Sequence, residues 1–411
     1  MISNGESAGI AQRYNRSETI YTYFLMFMNA LSTNILGPIM PNILSDYAIS
    51  KSDAALMLVF QSAGAIIAIF LGGILSRLVN KTHLVSGSLL LYCLCMMAIP
   101  FAPGYGGLLY IFFVLGAGNR ILDMMLNAYI SDLRTKNRSF FITLLHSVFG
   151  VGALMGPVYV MVAFRSGHSW KQIFWTLGVS FFAVLLGYLL YKSAVFRGHK
   201  ELYASPEKQK KGEGSSVVYR DPFICLLGLI MLLYMGYQYS VITWSPSYMQ
   251  EVFGVPSTQF GSPVTWFWVG ITLSRLGFAR LALRYNSLRL IGVSTALGTV
   301  SLICMVFAPS PVFMLICIFA TGLFAGAVIP LLMAHACDLY PDYSGAIAPL
   351  LFLLAAIGTM MIPWLAGLVA ETLGFQAGML VNVTVLAVIV ACCGLAKLPF
   401  FQQKNSEFKI L

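Results

Sequence analysis

Arg120, Asp123 and Asn127 stand at i, i+3 and i+7 in the stretch 107–133, which is otherwise dominated by apolar and small residues. That spacing puts a guanidinium, a carboxylate and a primary amide on one face of a helix. Ionisable groups deep in apolar helices are costly and mark functional sites. Asp123 is read as the one acid well inside an apolar run. A carboxylate that moves between dry and wet surroundings, or loses a neighbouring guanidinium, changes its hold on a proton. Asp123 is therefore a candidate for loading and releasing one, with Arg120 as its partner. The alternative is a static Arg120–Asp123 pair that locks this helix to a neighbour. Arg120 admits two roles as well: attracting a carboxylate- or phosphate-bearing ligand, or only neutralising Asp123. His146, Arg275 and His335 complete the short set of ionisable groups at such depth. Imidazole titrates near neutral pH, so His146 is a candidate for proton movement or ligand contact, against a purely structural hydrogen bond. Asn34, Asn127, Gln238, Trp244 and Tyr237 are the amide and aromatic side chains suited to sugar hydroxyls and sugar faces. For the tyrosines an interfacial aromatic belt is the competing account.

The elements that must position these groups are long apolar helices. Hydrophobic residues make up 58% of the chain and charged residues 10%, well below the charge content of a soluble domain, about 25%. Twelve apolar stretches read as spans, near 20–44, 52–76, 83–102, 107–133, 140–164, 172–194, 222–249, 258–282, 288–307, 312–338, 344–369 and 376–398. A shift of 206 positions, without gaps, lays Phe101-Ala102-Pro103 on Phe307-Ala308-Pro309. The same shift pairs Gly64 with Gly270, Asn80 with Asn286, Gly116 with Gly322, Gly152 with Gly358 and Pro157 with Pro363. Matched glycines and prolines imply matched backbone geometry. The expectation is an all-α integral membrane protein of twelve helices in two pseudo-symmetric six-helix bundles, residues 1–194 and 222–411. Such duplicated halves build secondary transporters whose site lies between the repeats.

The polar segment 195–221 reads as a flexible basic tether on the membrane surface. The net charge of +10 is distributed as topology rather than as a nucleic-acid site. Lys and Arg collect in alternate connections, while the opposite side holds only Lys51, Arg165 and Lys171, so both termini are expected in the cytoplasm. Prolines are expected to interrupt the helices at Gly37-Pro38, Pro41, Pro157, Pro330 and Pro363. The eight cysteines show no metal-site spacing. No nucleophile–base pair or phosphate-cradling loop emerges either, so enzyme, metal, cofactor and ATP-pump readings have no residues behind them.

Gly116-Ala-Gly118, Leu122-Asp123, Asn127-Ala128, Leu145-His146, Phe149-Gly150, Gly152 and Gly156-Pro157 resemble the major facilitator superfamily, in the branch around the proton-coupled fucose permease. Tyr234-Met-Gly236, Trp244 and Trp268-Val-Gly270-Ile-Thr-Leu-Ser-Arg275 extend the likeness over nearly the whole chain. The resemblance implies a proton-carrying role for Asp123, a site role for His146 and a gating or helix-pinning role for Arg275. The superfamily's loop between helices 2 and 3 is altered. Arg77 replaces its aspartate and Asn80 its second glycine, Lys81 survives, and Leu283, Arg284 and Asn286 follow in the second half. Arg77, Asn80, Lys81, Arg275 and Arg284 form the expected gating set. Asparagine tolerates a left-handed turn, so that bend is expected to persist at Asn80 and Asn286. The branch's helix-1 aspartate aligns with Leu31 and its helix-7 glutamate with Gln238.

The expected function is proton-coupled uptake of a small polar solute, a sugar or sugar acid, by a monomer in a plasma (bacterial inner) membrane, with sodium as the other possible coupling ion. The alternatives are proton-driven export of amphipathic, drug-like compounds and a transport-inactive membrane sensor.

Overall fold

The computed structural model describes residues 4–133, 138–195, 221–256, 262–282, 284–339 and 344–396. The expected tether, 195–221, lies almost wholly outside them. Among the described residues the chain is helical throughout. The first half comprises α1 (Asn4–Thr33), α2 (Leu36–Tyr47), α3 (Lys51–Leu78), α4 (Lys81–Ala98), α5 (Gly104–Leu133), α6 (Arg138–Arg165) and α7 (Trp170–Val195). The second comprises α8 (Pro222–Phe253), α9 (Pro263–Leu281), α10 (Ser287–Val306), α11 (Pro311–Ala325), α12 (Val328–Leu339), α13 (Ser344–Leu373) and α14 (Phe375–Leu395). Among the described residues, eleven stretches are long and apolar enough to span a bilayer, with α1–α2 and α11–α12 each forming one bent span. The twelfth position is filled by α9, 19 residues that carry Arg275 and Arg280. Large apolar side chains stay exposed around the outside, among them Phe70 at 61%, Tyr110 at 70% and Leu190 at 59%. Such a belt suits lipid rather than water.

The duplication is written into the packing. A Cβ on Gly64 would lie 1.9 Å from the Phe113 carbonyl oxygen, and one on Gly116 would lie 1.9 Å from that of Gln61. In the second half Gly270 meets Phe319 and Gly322 meets Phe267, each at 2.3 Å from the carbonyl oxygen. All four contacts are related by the same shift of 206 positions. Only glycine lets α3 cross α5, and α9 cross α11, this closely. Gly152 and Gly156 likewise bring α6 onto α1, against the carbonyls of Phe27 and Leu31.

Three local expectations are corrected. Asn80 and Asn286 are not left-handed. Both are extended (φ −60°, ψ 136° and φ −60°, ψ 132°) and cap α4 and α10, their side chains accepting from Thr82 N–H and from Leu288 and Arg289 N–H. Asparagine satisfies orphan amides at a helix start, and here that role prevails over a glycine-like turn. The first span breaks at Asn34–Ile35, ahead of Gly37-Pro38, and Pro38 and Pro41 both lie inside α2. Pro38 falls in the first turn, where its missing N–H costs nothing. Pro330 similarly enters the first turn of α12, after a break at Gly326–Ala327. Pro157 and Pro363 interrupt nothing: α6 and α13 run through them.

Among the described residues the halves meet closely at the end of the molecule that carries Lys51. There Lys51 Nζ lies 2.9 Å from Glu251 Oε1, and Ser52 donates through both N–H and hydroxyl to Glu371 Oε2. Gly37 of α2 sits under the Ile242 carbonyl of α8. Toward the opposite end, His146 and Ser147 are exposed.

Candidate functional site

Helix α5 carries its polar row toward the space between the halves. Arg120 Nη1 lies 3.4 Å from Asp123 Oδ2, and the two side chains are 25% and 27% exposed. Asn127 Nδ2 donates to the Asp123 carbonyl at 2.9 Å and reaches Asp123 Oδ1 at 3.5 Å. A single, long and partly wet contact of this kind is worth less than about 1 kcal/mol. The pair is held but not locked. Arg120 Nε is buried and has no hydrogen-bond partner among the described residues.

One level toward the Lys51 end, the break in the first span turns Asn34 into the gap. Its Nδ2 donates back to the Ala30 carbonyl at 2.8 Å, and its Oδ1 accepts from Trp268 Nε1 of the other half at 2.7 Å. Ser62 and Thr359 form a second bridge, at 3.3 Å. Asn34, Ser62 and Thr359 border a cavity of about 50 Å³, lined also by Thr33, Gln61, Asn119, Arg120, Tyr239 and Thr243. Its lining is rich in hydroxyls and amides, which suits a polar guest.

Across the gap, Trp268, Thr272 and Arg275 follow i, i+4, i+7 on the face of α9 that meets α6. Phe149 packs against Trp268 with ring centroids 6.1 Å apart. A Cβ on Gly150 would touch Thr272 Oγ1 at 3.7 Å. The Arg275 guanidinium lies 5.9 Å from the Trp268 ring centre, and its Nε is buried without a hydrogen-bond partner among the described residues. His146, one turn before Gly150, lies in the electrostatic field of both Asp123 and Arg275. Tyr239 links in the same way to Arg120 and Asp123.

Not every expected site residue joins this group. Helix α8 turns Tyr239, Ile242 and Thr243 to the cavity. At about 100° per residue, Tyr237 and Trp244 then lie on its far side. Trp244 is 1% exposed, donates to the Pro363 carbonyl at 2.9 Å and packs against Phe375. Tyr237 is fully buried between Tyr234 and Phe267. Both are packing residues of the second half rather than cavity walls. Gln238 sits at the edge of the cavity face, 3% exposed, with Oε1 lacking a partner among the described residues. Of the gating set, Asn80 is a helix cap and Arg284 is exposed beyond the end of α9. The side chains of Arg77 and Lys81 lie outside the described residues. His335 rests edge-on against Phe223, 6.0 Å between ring centres.

Two constellations escape sequence reasoning. Glu18 is a second enclosed acid, near the end of the first span, because α1 starts well before the apolar run. Glu18 is 1% exposed; it accepts from Tyr129 at 2.7 Å and from Tyr188, with Lys192 Nζ at 3.7 Å. The available signal was Tyr14, Glu18 and Tyr21 on one helical face. The other constellation is the Lys51–Glu251 and Ser52–Glu371 closure, whose partners are far apart in sequence and sit at helix ends.

A family model described as the Major Facilitator Superfamily matches residues 22–261 and 226–409. Among curated relatives, a TsgA homolog from Yersinia enterocolitica is 22% identical over 397 residues, 95% of this chain and 96% of the relative. Another TsgA homolog, from Erwinia tasmaniensis, is 21% identical over 387 residues, 92% and 95% of the two chains. Among solved structures, a bacterial homolog to the human lysosomal transporter Spinster superposes with a TM-score of 0.78 at 15% identity, covering 93% of this chain and 97% of that one. The nucleoside transporter NupG superposes with a TM-score of 0.74 at 10% identity, covering 93% and 99%. At these identities the structural likeness is one of fold.

Proposed function

The chain belongs to the Major Facilitator Superfamily, and on that premise we propose that it is a proton-coupled secondary transporter of a small polar solute in the bacterial inner membrane. The observation that carries this reading is Asp123: a partly wetted carboxylate, loosely paired with Arg120, on the face of α5 that borders the gap between halves. With both termini cytoplasmic, as the basic segments suggest, the Lys51 end is outside and closed, and the side open to His146 is the inner one. Alternating access then consists of the halves 1–194 and 222–411 rocking about the Asn34–Trp268 level. The Lys51–Glu251 contact parts as the outer side opens. Asp123 takes up a proton when wetted from outside and releases it inward. Substrate occupies the cavity bounded by Asn34, Arg120, Tyr239 and Thr243, with Asn127, Gln238 and His146 around it. The mixed amide and hydroxyl lining, together with the resemblance to the fucose permease branch, supports a sugar or sugar acid. Uptake into proteoliposomes with a pH indicator tests the coupling. Substrate is expected to draw protons in with it, and Asp123→Asn to end that movement. Undiminished gradient-driven uptake by Asp123→Asn, or dependence on sodium alone, refutes the assignment.

A further inference from the structure

The gap between the halves holds more positive charge than the coupling reading uses. Arg120 and Arg275 supply two guanidiniums against one carboxylate, Asp123. Among the described residues Arg275 has no ion-pair partner. Its Nε is buried and unbonded, and so is that of Arg120. The Tyr234 hydroxyl, buried without a partner, lies within electrostatic reach of Arg275. The aromatic face of Trp268 satisfies part of the Arg275 guanidinium, and no carboxylate among the described residues pairs with its N–H fork. An unmatched cation at membrane depth is expensive to keep, and a planar fork of N–H donors is shaped for carboxylate oxygens.

We infer that the site takes a small organic carboxylate, gripped from the two halves by Arg275 and Arg120. The inference rests on the transporter reading of the same cleft and specifies its substrate class. Arg275 is carried by α9 and Arg120 by α5, so a carboxylate held by both tethers one half to the other. Binding itself then favours the closed, occluded arrangement that rocking must pass through. As Arg120 turns toward the substrate it loosens its single contact with Asp123, which ties substrate occupancy to the state of the coupling acid.

The test uses the purified full-length chain in detergent and matched acid–amide pairs as probes: glucuronate with glucuronamide, lactate with lactamide, benzoate with benzamide. Thermal unfolding is followed at millimolar ligand. At least one acid is expected to raise the melting temperature where its amide does not. Its affinity is expected to fall about tenfold or more in both Arg275→Gln and Arg120→Gln, and to recover in part in Arg275→Lys. The native protein alone can overturn the proposal. It fails if every amide stabilises as well as its acid, or if no acid stabilises at all. Glycerol 3-phosphate is the phosphate arm; tighter binding of it than of any carboxylate overturns the assigned class. Proton movement in Asp123→Asn is measured separately. A neutral solute with intact proton coupling sinks the anion site and spares the coupling, and a bound acid moved without protons does the reverse.

Discussion

Removing the Lys51 side chain opens the end of the molecule that is closed in this structure. The lysine leaves the first turn of α3 in one half and meets three helices of the other. Its Nζ is 2.9 Å from Glu251 Oε1 on α8, 3.5 Å from the Ala370 carbonyl on α13 and 4.1 Å from the Phe375 ring centre on α14. The ion pair is 20% and 52% exposed, so solvent screens it and it contributes about 0.2–1 kcal/mol. The cation–π contact at a partly exposed site adds about 0.5–1 kcal/mol. Both act only while the halves are together. Lys51→Ala should therefore weaken the closure by about 1–2 kcal/mol, a roughly 5–30-fold shift toward the open form. Glu251→Gln removes the ion pair alone and should shift it less than about fivefold. A cysteine at Ser62, which is 9% exposed and bridged to Thr359 at 3.3 Å, reports the opening. Its labelling rate by a membrane-impermeant maleimide, measured above the Ser62 parent, should rise most in Lys51→Ala and less in Glu251→Gln. An unchanged rate in Lys51→Ala refutes the account. Equal rates in the two variants refute the part assigned to Phe375.

Four further outcomes follow from the geometry. Gly64→Ala and Gly270→Ala each push a methyl group into a backbone carbonyl at 1.9 and 2.3 Å; each should cost about 1–3 kcal/mol, read as a lowered melting temperature. Glu18→Ala removes the carboxylate shared by Tyr129, Tyr188 and Lys192 in the first half and should destabilise by about 1–3 kcal/mol. Chemical denaturation in detergent measures that loss, and Glu18→Gln should restore part of it. Trp244→Phe loses one hydrogen bond to Pro363 and should cost about 1 kcal/mol while substrate affinity stays unchanged. A large loss of affinity there would return Trp244 to the cavity wall. Asn286→Ala removes a helix cap and should cost about 1 kcal/mol, with Asn286→Ser restoring it.

The chain announces its helices, its duplication and its α5 polar row by local means. Hydropathy needs only a run of residues, the repeat only a constant shift, and the row of Arg120, Asp123 and Asn127 only a period of 3.6. What sequence alone left open is the rotation of each helix about its axis and the meeting of distant ends. In a span that is apolar all round, no polar face declares the inward side, so the sequence does not rank Tyr237, Tyr239 and Trp244, and the packing of α8 against α13 sets which way each points. Asn80 could turn or cap, and only the start of α4 decided between them. Glu18 at the edge of an apolar run has water available on paper; its enclosure depends on Tyr129 and Tyr188 arriving from α5 and α7. Lys51 and Glu251 are 200 residues apart, and no short-range pattern pairs them. Those facts belong to the tertiary structure because they are set by which surfaces touch, and contact between distant segments is a property of the whole folded chain.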